Sequence, residues 1–339
     1  MRARISVQLG YVTNFNMIDK MARAALFILI ALIAAHAHAQ PYPAKPIRLI
    51  VGSAPGGPID FAARLAAQML TQSLGQTVVV DNRTGAGGTI GTEYVAKSAP
   101  DGYTLLMASA ATLCITPNLY SKINYDTLRD FAPVSTVAGV SYVVVVHPAL
   151  PAKSVQEFVA LAKARPGQLR FGSAGSGSVT HLAVELFKSM AGVDMAHIPY
   201  KGAGPAMIDL LGGQLDFMFD SVLTSTPLVK AGKLRALAQT AARRSSVLPE
   251  VPTIGETVLP GYDVSTWFGL VAPAKTPREI VAKLNQAMVK GLANAETRER
   301  LLGQGIEPLG NTPAEFAKLL RDELPKWAQI VKTSGAKVD

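Results

Sequence analysis

Residues 47–73 read Ile-Arg-Leu-Ile-Val-Gly-Ser-Ala-Pro-Gly-Gly-Pro-Ile-Asp-Phe-Ala-Ala-Arg-Leu-Ala-Ala-Gln-Met-Leu-Thr-Gln-Ser. Ile47 to Val51 is a short β-rich run. Gly52 to Pro58 is rich in glycine and proline, which predicts a loop. From Asp60 to Ser73, Phe61, Leu65 and Met69 recur at a spacing of four, which predicts an amphipathic helix. The stretch is therefore strand, glycine turn, helix. Glycine lacks a Cβ and lets a ligand approach the backbone. The unpaired N–H groups of a helix start, aided by the helix dipole, form a site for an anion.

Working outward, the alternation continues. Thr77–Asp81 reads as a strand, Gly85-Ala86-Gly87-Gly88 as a loop, Ile90–Lys97 as a helix and Tyr103–Met107 as a strand. A second unit begins near Tyr142. Its apolar run Val143–Val146 is expected of a strand buried on both faces. Helices follow at Ser154–Ala164, Val179–Met190 and Pro205–Leu211, with strands at Gln168–Gly172, Met195–Pro199, Leu215–Phe219 and Leu234–Gln239. Trp267–Ala272 is one more strand. Three helices, from Pro277, Glu296 and Pro313, close the chain, with Thr276 and Thr312 expected as N-caps before first-turn prolines. The class is α/β, with mainly parallel sheets.

The N-terminus reads differently. Lys20 and Arg23 precede an uncharged run, Ala24–Ala35, which ends in Ala37-His38-Ala39. The run is too short to span a bilayer and carries a small-x-small cleavage pattern, so residues 1–39 are expected to be an export signal cut after Ala39. Met17 or Met21 can serve as the start. The chain has 339 residues, more than one core usually serves, so two lobes are expected. Its net charge of +9 is scattered, without the basic clusters of a nucleic-acid binder. Cys114 is the sole cysteine and cannot form an internal disulfide. Its apolar context suits buried filler.

Two further loops have the form of the first. They are Gly172-Ser173-Ala174-Gly175-Ser176-Gly177-Ser178, before a helix carrying His181, and Lys201-Gly202-Ala203-Gly204. One long Gly/Ser loop in each unit is what a clamp over a small anion requires. Enzyme signatures fail on spacing. A dinucleotide fingerprint from Gly85 would need glycine where Ile90 stands, and there is no phosphate-loop Gly-Lys-Ser/Thr and no Gly-x-Ser-x-Gly elbow. His147, His181 and His197 lack metal-ligand spacing. No catalytic residue, metal or cofactor is expected. His181 is read as a hydrogen-bonded structural histidine. Asp60 is read first as a cap for its helix, and as a holder of loop shape or a ligand contact second. Asp220, at a strand end, fits a cap or a ligand contact equally.

Five stretches now occur in a telling order: Ala54-Pro55-Gly56-Gly57-x-x-Asp60, Asn82-Arg83-x-Gly85-Ala86-Gly87-Gly88, Pro100-Asp101-Gly102-Tyr103-Thr104-Leu105-Leu106, Gly172-Ser173-x-Gly175-x-Gly177-Ser178-x-x-His181-Leu182 and Pro199-Tyr200-Lys201-Gly202. Together they resemble the Bug-type receptors of tripartite tricarboxylate transporters, over about residues 40–335. The resemblance implies a two-lobed periplasmic binding protein fold, type II-like, with two chain crossovers and an interlobe cleft. Lobe 1 would be 40–141 plus 266–339, and lobe 2 would be 142–265. It implies a carboxylate held by backbone N–H and hydroxyl groups, often through water. Carried across by motif, the ligand-binding residues are Ser53, Pro55, Gly56, Gly57 and Asp60 on one side. On the other they are Ser173, Gly175, Ser176, Gly177, Ser178 and Asp220. Pro58 departs from the small residue of the pattern and removes one N–H donor.

The function this implies is a periplasmic solute-binding protein, a monomer and not an enzyme, that captures a small carboxylate. Amino acids, di- and tricarboxylates and aromatic acids all fit. Membrane transporter subunits would be its partners. The alternative is a carboxylate receptor for a membrane sensor kinase. Selectivity is expected around Leu113–Pro117, Tyr200–Gly204 and Val222–Thr226. The exported protein should begin at Gln40, and its intact mass will check this: a mass that retains residues before Gln40 contradicts the cleavage site.

Overall fold

In the computed structural model, the described residues are Arg23, 42–334 and Ala336. The export signal and its cleavage point, apart from Arg23, lie outside them. Met1–Ala44 and Lys45–Asp339 separate as two units, and the fold below is that of the second.

Strand β1 (Ile47–Val51) runs parallel to both β2 (Val78–Asn82) and β3 (Thr104–Ser109). Four of its five side chains are fully buried, as a central strand's must be. β4 (Phe131–Val146) is sixteen residues long. Up to Ser141 it pairs antiparallel with β9 (Ser265–Pro273), and Ala138–Val140 also pair with β10 (Ile306–Pro308). From Tyr142 it pairs antiparallel with β7 (Phe217–Ser221) and β8 (Arg235–Gln239). β5 (Arg170–Ser173) lies parallel to both β6 (Ala196–Pro199) and β7. The strand order is β2-β1-β3-β9-β4-β7-β5-β6. Two parallel arrays, β2-β1-β3 and β7-β5-β6, thus flank the antiparallel pair β4 and β9. The result is a mixed, type II-like periplasmic-binding arrangement.

The helices are α1 (Pro58–Leu74), α2 (Thr89–Ala96), α3 (Thr116–Leu119), α4 (Val155–Ala164), α5 (Val179–Ala191), α6 (Ala203–Leu211), α7 (Val222–Lys230), α8 (Ile254–Thr257), α9 (Arg278–Ala293), α10 (Ala295–Leu302) and α11 (Pro313–Ser334). A π-helical turn, Ala111–Ile115, precedes α3 and buries Cys114, whose thiol burial pushes up from its ordinary value. Thr312 caps α11 as expected. It accepts from the Glu315 N–H at 3.2 Å, while Glu315 accepts from the Thr312 N–H at 2.8 Å, a reciprocal capping box. Thr276 does not cap α9. Its hydroxyl donates back to the Pro273 carbonyl at 2.7 Å, and Pro277 itself takes the cap position.

Two of the strand boundaries explain how the halves are joined. β4 begins well before the apolar run Val143–Val146, because pairing with β9 carries it through Ala132, Pro133 and Gly139. The register slips between Pro133 and Ser135 and again between Thr136 and Ala138. Proline has no N–H to give to a ladder, so a bulge there is the low-cost solution. At the other crossing, the fully buried Thr240 follows β8. Its hydroxyl donates to the Val264 carbonyl at 2.6 Å and accepts from the Tyr142 N–H at 3.2 Å. The chain returning toward β9 is thereby tied to β4 at the residue where β4 changes sheets.

Thr240→Val keeps the shape and removes the hydroxyl. It should leave a buried carbonyl and N–H without a partner, at a cost of about 1–3 kcal/mol. Urea unfolding will measure it, and an unchanged midpoint would show that the tie is idle.

Candidate functional site

The first loop is built by Asp60, the third helical residue of α1. Its carboxylate is nearly fully buried and accepts from the Gly56 N–H at 3.0 Å, Arg64 Nε at 2.8 Å and Asn82 Nδ2 at 3.0 Å. Burial works against its charge. The Arg64 guanidinium, the Gly56 N–H and the Asn82 amide outweigh burial and hold the carboxyl below the usual range. Asn82 also donates to the Ser53 carbonyl at 2.9 Å, so it fixes both ends of the turn. Gly56 takes a positive φ of 90° to reach Asp60. Gly57 is the N-cap of α1, with no side chain to offer. Among the described residues, the amides of Gly57, Ile59 and Asp60 therefore meet no acceptor in the protein, the state in which a helix start receives an anion.

The loops that follow β2 and β3 stand beside the first, because parallel strands carry all three to one sheet edge. A cavity of about 450 Å³ is lined here by Ser53, Ala54, Ile59, Gly85, Gly88, Ser109, Thr112 and their neighbours. Gly88 approaches Gly52 so closely that a Cβ on Gly52 would lie 2.9 Å from the Gly88 backbone. Of the stretch Leu113–Pro117, Leu113, Cys114 and Ile115 face the core, while Ser109, Ala111 and Thr112 just before it line the cavity.

The second loop satisfies itself more fully. Ser173, at the end of β5, is fully buried, and its hydroxyl accepts from the Gly175 N–H at 3.1 Å. It also shares a 2.6 Å hydrogen bond with His197 Nε2. The Gly177 N–H donates to His181 Nδ1 at 3.1 Å. The Ser178 N–H donates to the Gly175 carbonyl, and the Ser178 hydroxyl caps α5 by accepting from the His181 N–H at 3.2 Å. Among the described residues this leaves the amides of Ser176, Val179 and Thr180 without an acceptor. Ser176 is exposed at the tip. The third loop is bonded to the second, by the Tyr200 N–H to the Ser173 carbonyl and the Gly202 N–H to the Ala174 carbonyl, each at 3.2 Å.

β7 contributes Asp220. It is buried, and its Oδ2 accepts from the Thr224 hydroxyl at 2.6 Å and the Ser225 hydroxyl at 2.7 Å. Burial pushes its carboxyl up, against the pull of those hydroxyls and the Ser221 N–H. Ser221 caps α7. The start of α7 and the first loop meet: a second cavity of about 450 Å³ is lined by Gly56, Gly57, Pro58 and Phe61 together with Leu223, Thr224, Thr226 and Pro227. The carboxyl edges of the two parallel arrays therefore face one another. A larger cavity of about 760 Å³, lined by Ser141, Arg243, Asp263, Trp267 and Lys326 among others, takes none of its walls from the glycine loops.

Comparison with known proteins decides what this arrangement belongs to. The family described as "Tripartite tricarboxylate transporter family receptor" matches residues 62–336. The chain belongs to that family. Protein BugT of Bordetella pertussis is 42% identical to it over 324 residues, covering 95% of this chain and 99% of BugT. Among solved structures, an R. palustris protein with adipate is similar at 37% identity and a TM-score of 0.81, covering 87% of this chain and 99% of that one. MatC from Rhodopseudomonas palustris with bound malate is similar at 34% identity and a TM-score of 0.77, covering 86% and 100%. The receptor is accordingly a periplasmic solute-binding protein and not an enzyme.

Within the receptor, sequence motifs marked the loops but not their supports. Asn82 lay inside a quoted motif without a role. Arg64 carried no assigned role, Thr224 lay within the stretch Val222–Thr226 expected to set selectivity, and His197 reaches Ser173 only through the fold. Both histidines are kept neutral. Burial, with Lys188 nearby, pushes the His181 imidazole down to about 4, and burial, His181 and Lys188 do the same to His197. An unfolded histidine protonates near 6.5. Between these values the unfolded chain binds more protons, so the stability these groups contribute is complete above pH 6.5 and is lost as pH falls toward 4. Asp220, raised by burial, leans the other way. The urea midpoint should drop between pH 6.5 and 4.5. A midpoint that holds steady in the wild type, or drops as steeply in a His181→Asn, His197→Gln double variant, contradicts this assignment.

Proposed function

We propose that the receptor captures a small carboxylate, of the di- or tricarboxylate class, between the N-termini of α1 and α5, and delivers it to membrane transporter subunits. The observation that carries this reading is the pair of helix starts with amides that meet no acceptor among the described residues, one on each parallel array. The amides of Gly57, Ile59 and Asp60 serve one side, and those of Ser176, Val179 and Thr180 the other. Hydrogen bonds to an ionised acceptor are roughly twice as strong as neutral ones, so a carboxylate gains most from such donors. Ser53 and the exposed Ser176 hydroxyl supply further polar contacts. Pro55 and Gly57 let the ligand approach the backbone. Gly56, the Asp60 carboxylate, Ser173, Gly175, Gly177 and Ser178 act chiefly as supports, because these polar groups are already engaged. Asp220 presents Thr224 toward the cleft and selects for a hydroxyl or amine on the ligand.

The capture step is a hinge closure. Of the described residues, those within 45–141 and 266–334 move as one lobe and those within 142–265 as the other. β4 changes partners between Ser141 and Tyr142, and β9 begins at Ser265, so rotation there disturbs only the terminal pair Ser141–Ser265. The structures with adipate and with malate support a carboxylate as the class of ligand.

Titration calorimetry of the exported chain against malate, adipate and citrate will test the reading, with the corresponding amides as controls. At least one acid should bind and no amide should. Equal affinity for an acid and its amide would remove the anion argument.

A further inference from the structure

His181 and His197 come from different elements and meet face to face. His181 projects from the first turn of α5, and His197 from β6, in register with Phe171 of β5. Their rings stack at 3.9 Å between centroids, and Phe171 lies against His197 at 4.8 Å. Each spends one ring nitrogen on the second loop. His181 Nδ1 takes the Gly177 N–H, which requires its proton to sit on Nε2, facing Glu185 at 3.8 Å. His197 Nε2 holds the Ser173 hydroxyl, which in turn takes the Gly175 N–H. Lys188, paired with Glu185 at 3.0 Å and Asp194 at 3.8 Å, places a cation beside the stack, where a second cation is unfavourable.

We propose that His181 and His197 are positioning residues of the ligand site: by taking up the Gly177 N–H directly and the Gly175 N–H through Ser173, they fold the loop inward and turn the amides of Ser176, Val179 and Thr180 toward the ligand. The inference rests on the carboxylate reading above. It assigns the two imidazoles a use beyond filling the core, since hydrophobic rings of equal size would pack there but leave the buried Gly177 N–H and the Ser173 hydroxyl to find other partners. A loop that recruits its own glycine amides differently presents different donors.

The two histidines use different nitrogens, and that makes the test specific. Asparagine places its side-chain oxygen near the position of Nδ1, and glutamine places its amide near that of Nε2. Affinity for malate and adipate is measured for His181→Asn, His181→Gln, His197→Gln and His197→Asn, with the unliganded melting temperature of each recorded. The matched pair, His181→Asn and His197→Gln, should stay within about threefold of wild type. The mismatched pair should weaken by about tenfold or more, the scale of one lost hydrogen bond to a buried donor. All four changes are polar and similar in size, so a stability effect alone would not cross over between the two positions. If malate, adipate and citrate all fail to bind the wild-type protein, the carboxylate reading fails and this inference with it. If a probe binds wild type and the four variants show no crossed pattern, the carboxylate reading stands and the positioning role is overturned.

Discussion

The sixteen residues of β4 pair with β9 and β10 as far as Ser141, and with β7 and β8 from Tyr142 onward. A strand that serves two sheets in turn constrains everything else. It fixes the two parallel arrays on either side of itself and sets their carboxyl edges opposite each other. In the closure proposed above, the relative motion is centred on the point where it changes partners. Thr240 strengthens this point, since its hydroxyl joins the returning chain at Val264 to the Tyr142 N–H. The bulges around Pro133 and Thr136 lie within the same strand and let it bend without losing its ladder.

Given that frame, the site is made largely from the main chain. On one edge, Gly57 leaves the start of α1 uncapped, and Asp60 spends its charge on Gly56, Arg64 and Asn82. On the other edge, Ser178 caps α5, while Ser173 and the two histidines occupy the inner amides of the loop. The polar side chains shape the loops, and among the described residues the amides of Gly57, Ile59, Asp60, Ser176, Val179 and Thr180 remain without an acceptor. A binding surface of that kind favours a negative charge without specifying one acid. On the proposed reading, selectivity falls to residues that line the two cavities beside the first loop, such as Thr112 and, at the start of α7, Thr224.

Much of the fold was legible from residue patterns. β1 over Ile47–Val51 and the apolar helical spacing of Phe61, Leu65 and Met69 are local features, and the structure places them within a residue or two of the reading. β4 was readable only at Val143–Val146. The part before it, as far as Ser141, contains Pro133 and Gly139 and exists because β9 lies alongside. The misplaced cap at Thr276 has a similar cause: its hydroxyl found a closer acceptor at Pro273. At the site, the glycine loops announced themselves by composition. Their supports did not, because Asn82 reaches Asp60 across 22 residues and His197 reaches Ser173 across 24. Long-range partners of single side chains leave no periodic trace in a sequence.

The claim at the centre of this account is that main-chain amides at two helix starts hold the ligand's carboxylate. The most direct measurement is a crystal structure of the exported chain soaked to saturation with a dicarboxylate that binds it in solution. The account predicts carboxylate oxygens at about 3 Å from amides of the Gly57–Asp60 and Ser176–Thr180 segments, directly or through one bridging water. A carboxylate held instead by lysine or arginine side chains, or seated in the larger cavity beside Arg243 and Trp267, would contradict it.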